Sequence, residues 1–154
     1  MSVVEQRLAE IGLVVPEVVP PVAAYTPAVR TGNYVYVSGQ LPMVNGAMAH
    51  TGKVGQDVTP EQAKALAQAS ALNAIAALKS VVGDLDTVAR VVKVVGFVAC
   101  IPDFTGAPAV VNGASELFGA AFGEKGVHAR SAVGVASLPL DAAVEVEAVF
   151  EIEG

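Results

Sequence analysis

The feature that most constrains the fold is a regular alternation of side chains over residues 143–153. Every second residue from Val144 to Ile152 is apolar, and the other positions hold Val149 and four glutamates. Since successive side chains of a β-strand point to opposite faces of its sheet, the segment predicts a strand with one apolar face and one mostly acidic face. The apolar face needs a cover, which must come from elsewhere in the chain.

Two segments predict helices that can provide this cover. Residues 59–62 combine a capping threonine, a proline in the first helical position and a glutamine three residues after the cap. Gly83 predicts the end of this helix, whose apolar face is rich in alanine and can therefore lie close to a sheet. A second helix is expected over residues 108–122, with Gly123 as its stop.

Four further segments predict strands. Residues 25–30 and 34–38 are expected to form a hairpin, residues 88–100 are too rich in β-branched side chains for a helix, and residues 131–136 form another short strand. The order is then hairpin, helix, strand, helix and two strands. This order predicts an α+β fold in which two main helices lie on one face of a mixed sheet.

The chain is long enough for one domain with a sizeable core, so we expect a single domain over residues 1–154. Residues 1–22 are expected to form a short helix, capped by Ser2, and an extended proline-rich arm. Hydrophobic residues make up 53% of the sequence and charged residues 16%. Because two helices cover only one face of the sheet, we expect the other face to pack against copies of the same chain in a closed ring.

Composition also narrows the function classes. The net charge of −6 argues against a general nucleic-acid-binding surface. Cys100 is the only cysteine, which excludes an internal disulfide and a cysteine-based metal cluster, and the two histidines lack metal-ligand spacing, so no metal is expected. No apolar run reaches the roughly 18 uncharged residues of a membrane helix, and the N-terminus lacks a signal-peptide pattern. We therefore expect a cytoplasmic protein without a membrane partner.

The candidate functional residues are polar side chains at the ends of apolar segments. Arg130 precedes an apolar strand and is either part of a packed ion pair or an anchor for a small carboxylate. The others each have a structural alternative, in which they satisfy backbone groups, lie at an interface or face solvent. These residues are Tyr25, Ser38, Gln40, Asn112 and Glu145.

Three motifs resemble the RidA/YjgF family of enamine/imine deaminases. They are Tyr25 with the segment Ser38-Gly39-Gln40-Leu41-Pro42, the segment Ala129-Arg130-Ser131, and the segment Val144-Glu145-Val146-Glu147. The likeness spans roughly residues 22–152, and the longer format looks like a divergent branch of the family. The resemblance implies a homotrimer with a chorismate-mutase-like fold, active sites in the clefts between subunits, and no metal or organic cofactor.

The resemblance also implies a chemistry, that of a hydrolase similar to 2-iminobutanoate/2-iminopropanoate deaminase. Arg130 would hold the carboxylate of a 2-enamine or 2-imino acid, water would attack the imine carbon, and ammonia and a 2-keto acid would leave. Tyr25 would close the pocket, Ser38 would donate to the substrate, and Glu145 would orient the water. Asn112 is expected to line the same pocket.

Three features depart from the family pattern. Ala132 replaces a cysteine, His128 replaces a proline or alanine, and the loop at residues 105–109 is longer than in the common form. His128 is either a titrating pocket residue or a packed residue at a strand start, and we favour the second because the sequence shows no partner for it. Two other functions stay open. The first is a non-catalytic protein that binds keto-acid-like molecules. The second is a ribonuclease or translation inhibitor, and the acidic net charge argues against this second function.

Overall fold

The computed structural model describes residues 1–21 and 23–154, so Val22, the last residue of the expected arm, lies outside the described residues. The described residues form three α-helices and seven strands, with short 3-10 turns between some of them. The helices are α1 (Val3–Glu10), α2 (Pro60–Val82) and α3 (Ala107–Phe122). The strands are β1 (Ala28–Thr31), β2 (Tyr34–Gln40), β3 (Met43–Val44), β4 (Ala47–Met48), β5 (Val88–Ala99), β6 (Ala129–Val135) and β7 (Val144–Ile152).

Five strands form one mixed sheet in the order β1-β2-β7-β5-β6, and β3 and β4 form a separate small hairpin. Strand β7 lies in the middle and pairs antiparallel with both β2 and β5, whereas β6 pairs parallel with β5 at the sheet edge. The parallel pair requires a crossover, which α3 provides. The predicted α+β class with a mixed sheet is therefore confirmed.

The helices cover one face of this sheet, as the alternation in β7 predicts. Thr59 caps α2 with the expected capping box, and α2 packs its alanines on β7 while α3 packs on β5. Phe150 of β7 is fully buried and meets the ring of Phe118 of α3 edge-on at 5.8 Å. The small alanine side chains allow the close helix-to-sheet contact that buries this central strand.

The opposite face of the sheet is not covered by the described residues of one chain. It carries Val29, Tyr36 and Val133, which are 52%, 51% and 45% exposed, together with the half-buried Glu145 and Glu147. We call this surface the open face. Apolar side chains with this exposure on a broad sheet are typical of a surface that another protein molecule covers.

Two predicted boundaries are wrong. Strand β1 begins at Ala28 rather than at Tyr25, because Pro27 lacks the N–H that a ladder residue donates. Strand β6 begins at Ala129 rather than at Ser131, so Arg130 lies within this strand and not before it. Helix α3 begins at Ala107, within one residue of its predicted start, and its first turn takes up the last three residues of the expected loop at 105–109. Asn112 lies inside α3, as the predicted span of residues 108–122 implies.

Helix α2 has the length and apolar composition of a membrane span. In this fold it is buried between the sheet and α3, and eleven of its residues are buried. Burial within the same domain accounts for its composition, and α2 is the core helix of this protein.

Candidate functional site

Arg130 lies on the edge strand β6 and points to the helical face of the sheet. It pairs in register with Val94 of β5, which is fully buried beneath the helices. Its guanidinium donates through Nη1 to Asn112 Oδ1 at 2.7 Å and to Ser115 Oγ at 3.2 Å. Nη2 donates to the main-chain carbonyl of Pro108 at 3.3 Å. Helix α3 therefore holds the Arg130 head group by three contacts.

Residue spacing along α3 explains why these three acceptors meet one side chain. Pro108, Asn112 and Ser115 are separated by four and three residues, which places them on one side of the helix. This side faces β6, because α3 is the crossover that connects the parallel pair. Asn112 thus takes part in the candidate site by orienting Arg130.

The charge of Arg130 is not neutralised by a protein group. Its three acceptors are an amide, a hydroxyl and a main-chain carbonyl, and no carboxylate of the described residues lies within 4.0 Å of it. In the described part of the chain, Nε and Nη2 each retain an N–H without an acceptor. These two nitrogens share one edge of the planar group, the edge that binds a carboxylate with two parallel hydrogen bonds. Within the described residues of one chain, Arg130 therefore forms no ion pair.

A second group of candidate residues lies where β2 meets β7. The pairing of these strands is irregular between Val37 and Gln40, so Ser38 and Gly39 lie in a bulge. The Glu145 carboxylate lies directly against Gly39, where a Cβ would collide with it. Bulges of this kind re-aim side chains and occur next to active sites.

Contacts on either side of the bulge fix its position. Ser38 Oγ donates to the carbonyl of Thr26 at 2.6 Å, next to Tyr25, so the expected donation from Ser38 to a substrate requires this hydroxyl to rotate. Asn73 of α2 donates to the carbonyls of Leu41 and Met43 at 3.0 and 2.9 Å. Asn73 is 3% exposed and was not among the predicted site residues.

Glu145 has a shifted proton affinity. Burial raises the pKa of its carboxyl group above 4.5, and the negative charge of Glu147, two residues along the same strand face, raises it further. A carboxylate with a raised pKa takes up and returns a proton more readily near neutral pH than an exposed one does. A raised pKa of this kind is what a general base at this position would need.

One chain does not bring these two groups together. Arg130 is paired with Val94 and faces the helices, whereas Glu145 is paired with Phe97 and lies on the open face. Their backbones are separated by two strand spacings across the sheet, about 10 Å, and by three residues along the strands, again about 10 Å. We refer to them as the arginine cluster (Arg130, Asn112, Ser115) and the glutamate cluster (Tyr25, Ser38, Glu145).

His128 has partners that the sequence did not reveal. Its Nε2 lies 2.8 Å from Ser115 Oγ, its Nδ1 lies 2.6 Å from the carbonyl of Gly126, and Phe118 meets the ring edge-on at 6.0 Å. The helical spacing of Ser115 from Asn112 was the one signal in the sequence that pointed to Ser115. The link from Ser115 to His128 joins a helix to a strand and becomes visible only in the folded chain.

Comparison with known proteins agrees with this geometry. Residues 5–152 match the family model described as "YjgF/chorismate mutase-like, putative endoribonuclease". Protein TCP17 of Trypanosoma cruzi is 43% identical over 150 residues, covering 97% of this chain and 94% of that protein. The 2-iminobutanoate/2-iminopropanoate deaminase of Escherichia coli strain K12 is 37% identical over 130 residues, covering 83% of this chain and 87% of the relative.

A solved structure extends the likeness to the whole fold. A protein of unknown function from Agrobacterium tumefaciens superposes with a TM-score of 0.93 at 47% sequence identity, covering 98% of this chain and 93% of its own. The family match spans both the arginine cluster and the glutamate cluster. The chain belongs to the RidA/YjgF, chorismate mutase-like family.

Proposed function

We propose that this protein is a deaminase that hydrolyses 2-imino acids, and the enamines that tautomerise to them, to 2-keto acids and ammonia. The observation that carries the proposal is Arg130, a half-buried cation that α3 fixes through neutral acceptors and whose Nε–Nη2 edge is left for an anion. A bidentate carboxylate fits this edge. The deaminase name of the E. coli relative supports the same substrate class.

The reaction needs one water molecule and one proton carrier. With the substrate carboxylate on Arg130, water adds to the imine carbon while the Glu145 carboxylate accepts one of its protons. Addition to the protonated imine gives a neutral carbinolamine. Glu145 then returns its proton to the nitrogen, and the carbon–nitrogen bond breaks as the hydroxyl proton passes to the Glu145 carboxylate and on to solvent, which leaves ammonia and the 2-keto acid. The raised pKa of Glu145 suits it to hold the proton between the two steps. No metal or organic cofactor is needed for these steps.

The same proposal includes a homotrimer with the active site between subunits. Arg130 and Glu145 lie on opposite faces of one sheet, so a single chain cannot place both against one small substrate. The exposed apolar side chains of the open face favour its burial against an adjacent copy. A ring in which each open face approaches the β6 edge of the next subunit would complete three equivalent sites.

The first experiment measures keto-acid and ammonia release from 2-aminoacrylate generated in situ. We expect the wild type to accelerate release and Arg130→Ala to lower kcat/KM about a thousandfold, since two charge-assisted hydrogen bonds are lost. Arg30→Ala is the matched control, because Arg30 also lies on a strand and donates only to the main-chain carbonyl of Gly32. Tight binding of a keto acid without turnover, or cleavage of RNA, by the wild type would overturn the deaminase proposal.

The second experiment tests whether the site is shared between subunits. Arg130→Ala and Glu145→Gln chains are each expected to be inactive alone. If each cleft takes Arg130 from one chain and Glu145 from its neighbour, random trimers of the two variants regain about a quarter of wild-type activity. Mixed oligomers without activity, or a monomer in light scattering, would contradict the arrangement.

We further propose that the protein acts in the cytoplasm on a small carboxylate-bearing ligand, without a nucleic-acid or membrane partner.

A further inference from the structure

We propose that Ser115 and His128 are positioning residues that lock the Arg130 guanidinium in its carboxylate-binding orientation. The inference deepens the proposed function, on which its relevance to catalysis rests. It begins from the three linked contacts that join Arg130 to Ser115, Ser115 to His128 and His128 to the Gly126 carbonyl. None of the three contacts involves a residue of the glutamate cluster.

Donor and acceptor types give this series one direction. The Gly126 carbonyl can only accept, so His128 Nδ1 carries the hydrogen of their 2.6 Å contact. Nε2 of the neutral ring is then an acceptor, and Ser115 must donate its hydroxyl hydrogen to it. With its hydrogen engaged, Ser115 presents oxygen lone pairs to the Nη1–H of Arg130.

The series acts on Arg130 from behind the binding edge. Ser115 and Asn112 both bind Nη1, whereas the N–H groups left for a ligand lie on Nε and Nη2. A carboxylate on the Nε–Nη2 edge therefore does not touch Ser115 or His128, and neither residue can exchange protons with the reacting carbon. Both residues act through Arg130.

His128 is itself held in place. The ring meets Phe118, a fully buried residue of α3, edge-on, and the last 3-10 turn before β6 supplies the Gly126 carbonyl. Without the Nε2 acceptor, the Ser115 hydroxyl is free to donate to a carbonyl one turn back along α3, as serines in helices commonly do. Its lone pairs would then turn away from Nη1, and the guanidinium would regain rotation.

The test compares disruptive and conservative substitutions at both positions. Ser115→Ala removes the central hydroxyl, and His128→Phe keeps an aromatic ring against Phe118 but removes both nitrogens. Ser115→Thr keeps a hydroxyl, and His128→Gln keeps an acceptor near the position of Nε2. Glu116→Gln is the control on α3, because Glu116 is exposed and pairs only with Lys64.

The first readout needs no substrate. In the wild type, nitrogen-15 spectra should resolve separate Nη1 and Nη2 signals for Arg130, identified by their loss in Arg130→Lys, because rotation about the Nε–Cζ bond is slow. We expect the signals to merge in Ser115→Ala and His128→Phe and to stay separate in the two conservative variants and the control. The proposal would be overturned if the wild type gave a single merged signal, or if the two signals stayed separate in Ser115→Ala.

The second readout is the dissociation constant of 2-oxobutanoate, with KM and kcat where turnover is measurable. Ser115→Ala and His128→Phe should each weaken binding and raise KM about tenfold, while kcat changes less, because a hydrogen bond to a charged group is lost. The double variant should be no weaker than the weaker single one, since the residues act in series. Additive losses, or no rescue by threonine and glutamine, would contradict the proposal.

The two proposals can fail separately. A guanidinium that is ordered through Ser115 and His128 in a protein that neither binds a keto acid nor hydrolyses an imine would overturn the deaminase function and leave the positioning role standing. Imine hydrolysis that depends on Arg130 but is unchanged in Ser115→Ala and His128→Phe would give the opposite result.

Discussion

Two regions of the molecule use charge in opposite ways. Where α1 meets the end of α2, two carboxylates have partners within the chain: Glu5 pairs with Lys79 and accepts from Ser2, and Asp86 accepts from the first two N–H groups of α1. At the β6 edge, Arg130 meets only neutral acceptors. The first arrangement attaches a peripheral helix to the core.

This difference distinguishes charges that stabilise the fold from a charge that is available to bind a ligand. A pair such as Glu5–Lys79 completes itself within the chain, and the cap formed by Asp86 does the same for the N–H groups of α1. A fixed guanidinium without a counterion instead favours an anion from outside, because burial weakens its solvation while its donors are already aligned. Breaking the first kind of contact should lower stability, and breaking the second should lower activity.

The largest expected effect comes from Arg130→Lys. Lysine keeps the charge, but its single ammonium cannot contact three α3 acceptors and also present two parallel donors to a carboxylate. We expect kcat/KM for imine hydrolysis to fall about a hundredfold, with a thermal midpoint close to that of the wild type. Activity and melting curves measured beside Arg30→Lys check this. An active Arg130→Lys variant would show that charge alone suffices.

Gly39→Ala is expected to have the next largest effect. The added Cβ would collide with the Glu145 carboxylate, which must move away from the bulge. We expect kcat to fall about tenfold or more, while 2-oxobutanoate still binds through Arg130 within a few-fold of its wild-type affinity. Steady-state rates and calorimetric binding separate the two quantities. Equal losses in both would mean that Gly39 supports the whole pocket rather than the glutamate cluster.

Glu147→Gln should move the acid limb of the pH–rate profile. Glu145 acts as a base only when ionised, so activity falls as pH decreases through its raised pKa. Removing the Glu147 charge lowers that pKa, and the limb should shift to lower pH by only part of the total rise, because burial is the larger cause of the rise. A profile from pH 4 to 8, measured against Glu151→Gln, tests the direction. A shift to higher pH would contradict it.

The smallest effect is expected at the α1 attachment. Lys79 and Ser2 lower the pKa of Glu5 to about 2 in the folded protein, from an ordinary value of 4.5. The stability that ionised Glu5 contributes is therefore complete above pH 4.5 and is lost as pH falls from there towards about 2.

Glu5→Gln retains a capping side chain but removes the charge. At pH 7 it should lower the free energy of unfolding by less than about 1 kcal/mol, since the pair is partly exposed, and should flatten the acid-induced loss of stability. Denaturant unfolding at several pH values, with Glu10→Gln on the same helix as control, provides the measurement. The rate of imine hydrolysis should be unchanged. A loss of activity would contradict the assignment of Glu5 to stability alone.

Much of the fold could be predicted because its rules are local. The capping box at Thr59, the glycines after α2 and α3, and the alternation in β7 each act through neighbouring residues, and each prediction is confirmed. The predicted boundaries failed where a local rule was overlooked, as at Pro27. The polar residues at the ends of apolar segments could be named for the same reason.

The partners of those residues could not be predicted. Asn73, Ser115 and His128 gain their roles from contacts with β2, Arg130 and the turn before β6, and no spacing in the sequence records these distances. The sequence also could not show that Arg130 and Glu145 face opposite sides of the sheet. That depends on the register of two strands against β5.

By itself, the sequence determined the elements, the α+β class and the family, because capping, alternation and motif order are properties of neighbouring residues. Only the tertiary structure decided that no described carboxylate pairs with Arg130, that α3 holds its guanidinium in place, and that Glu145 lies on the other face of the sheet. The physical reason is that hydrogen bonds and ion pairs depend on distances of a few ångströms between residues far apart in the chain, and folding alone sets those distances.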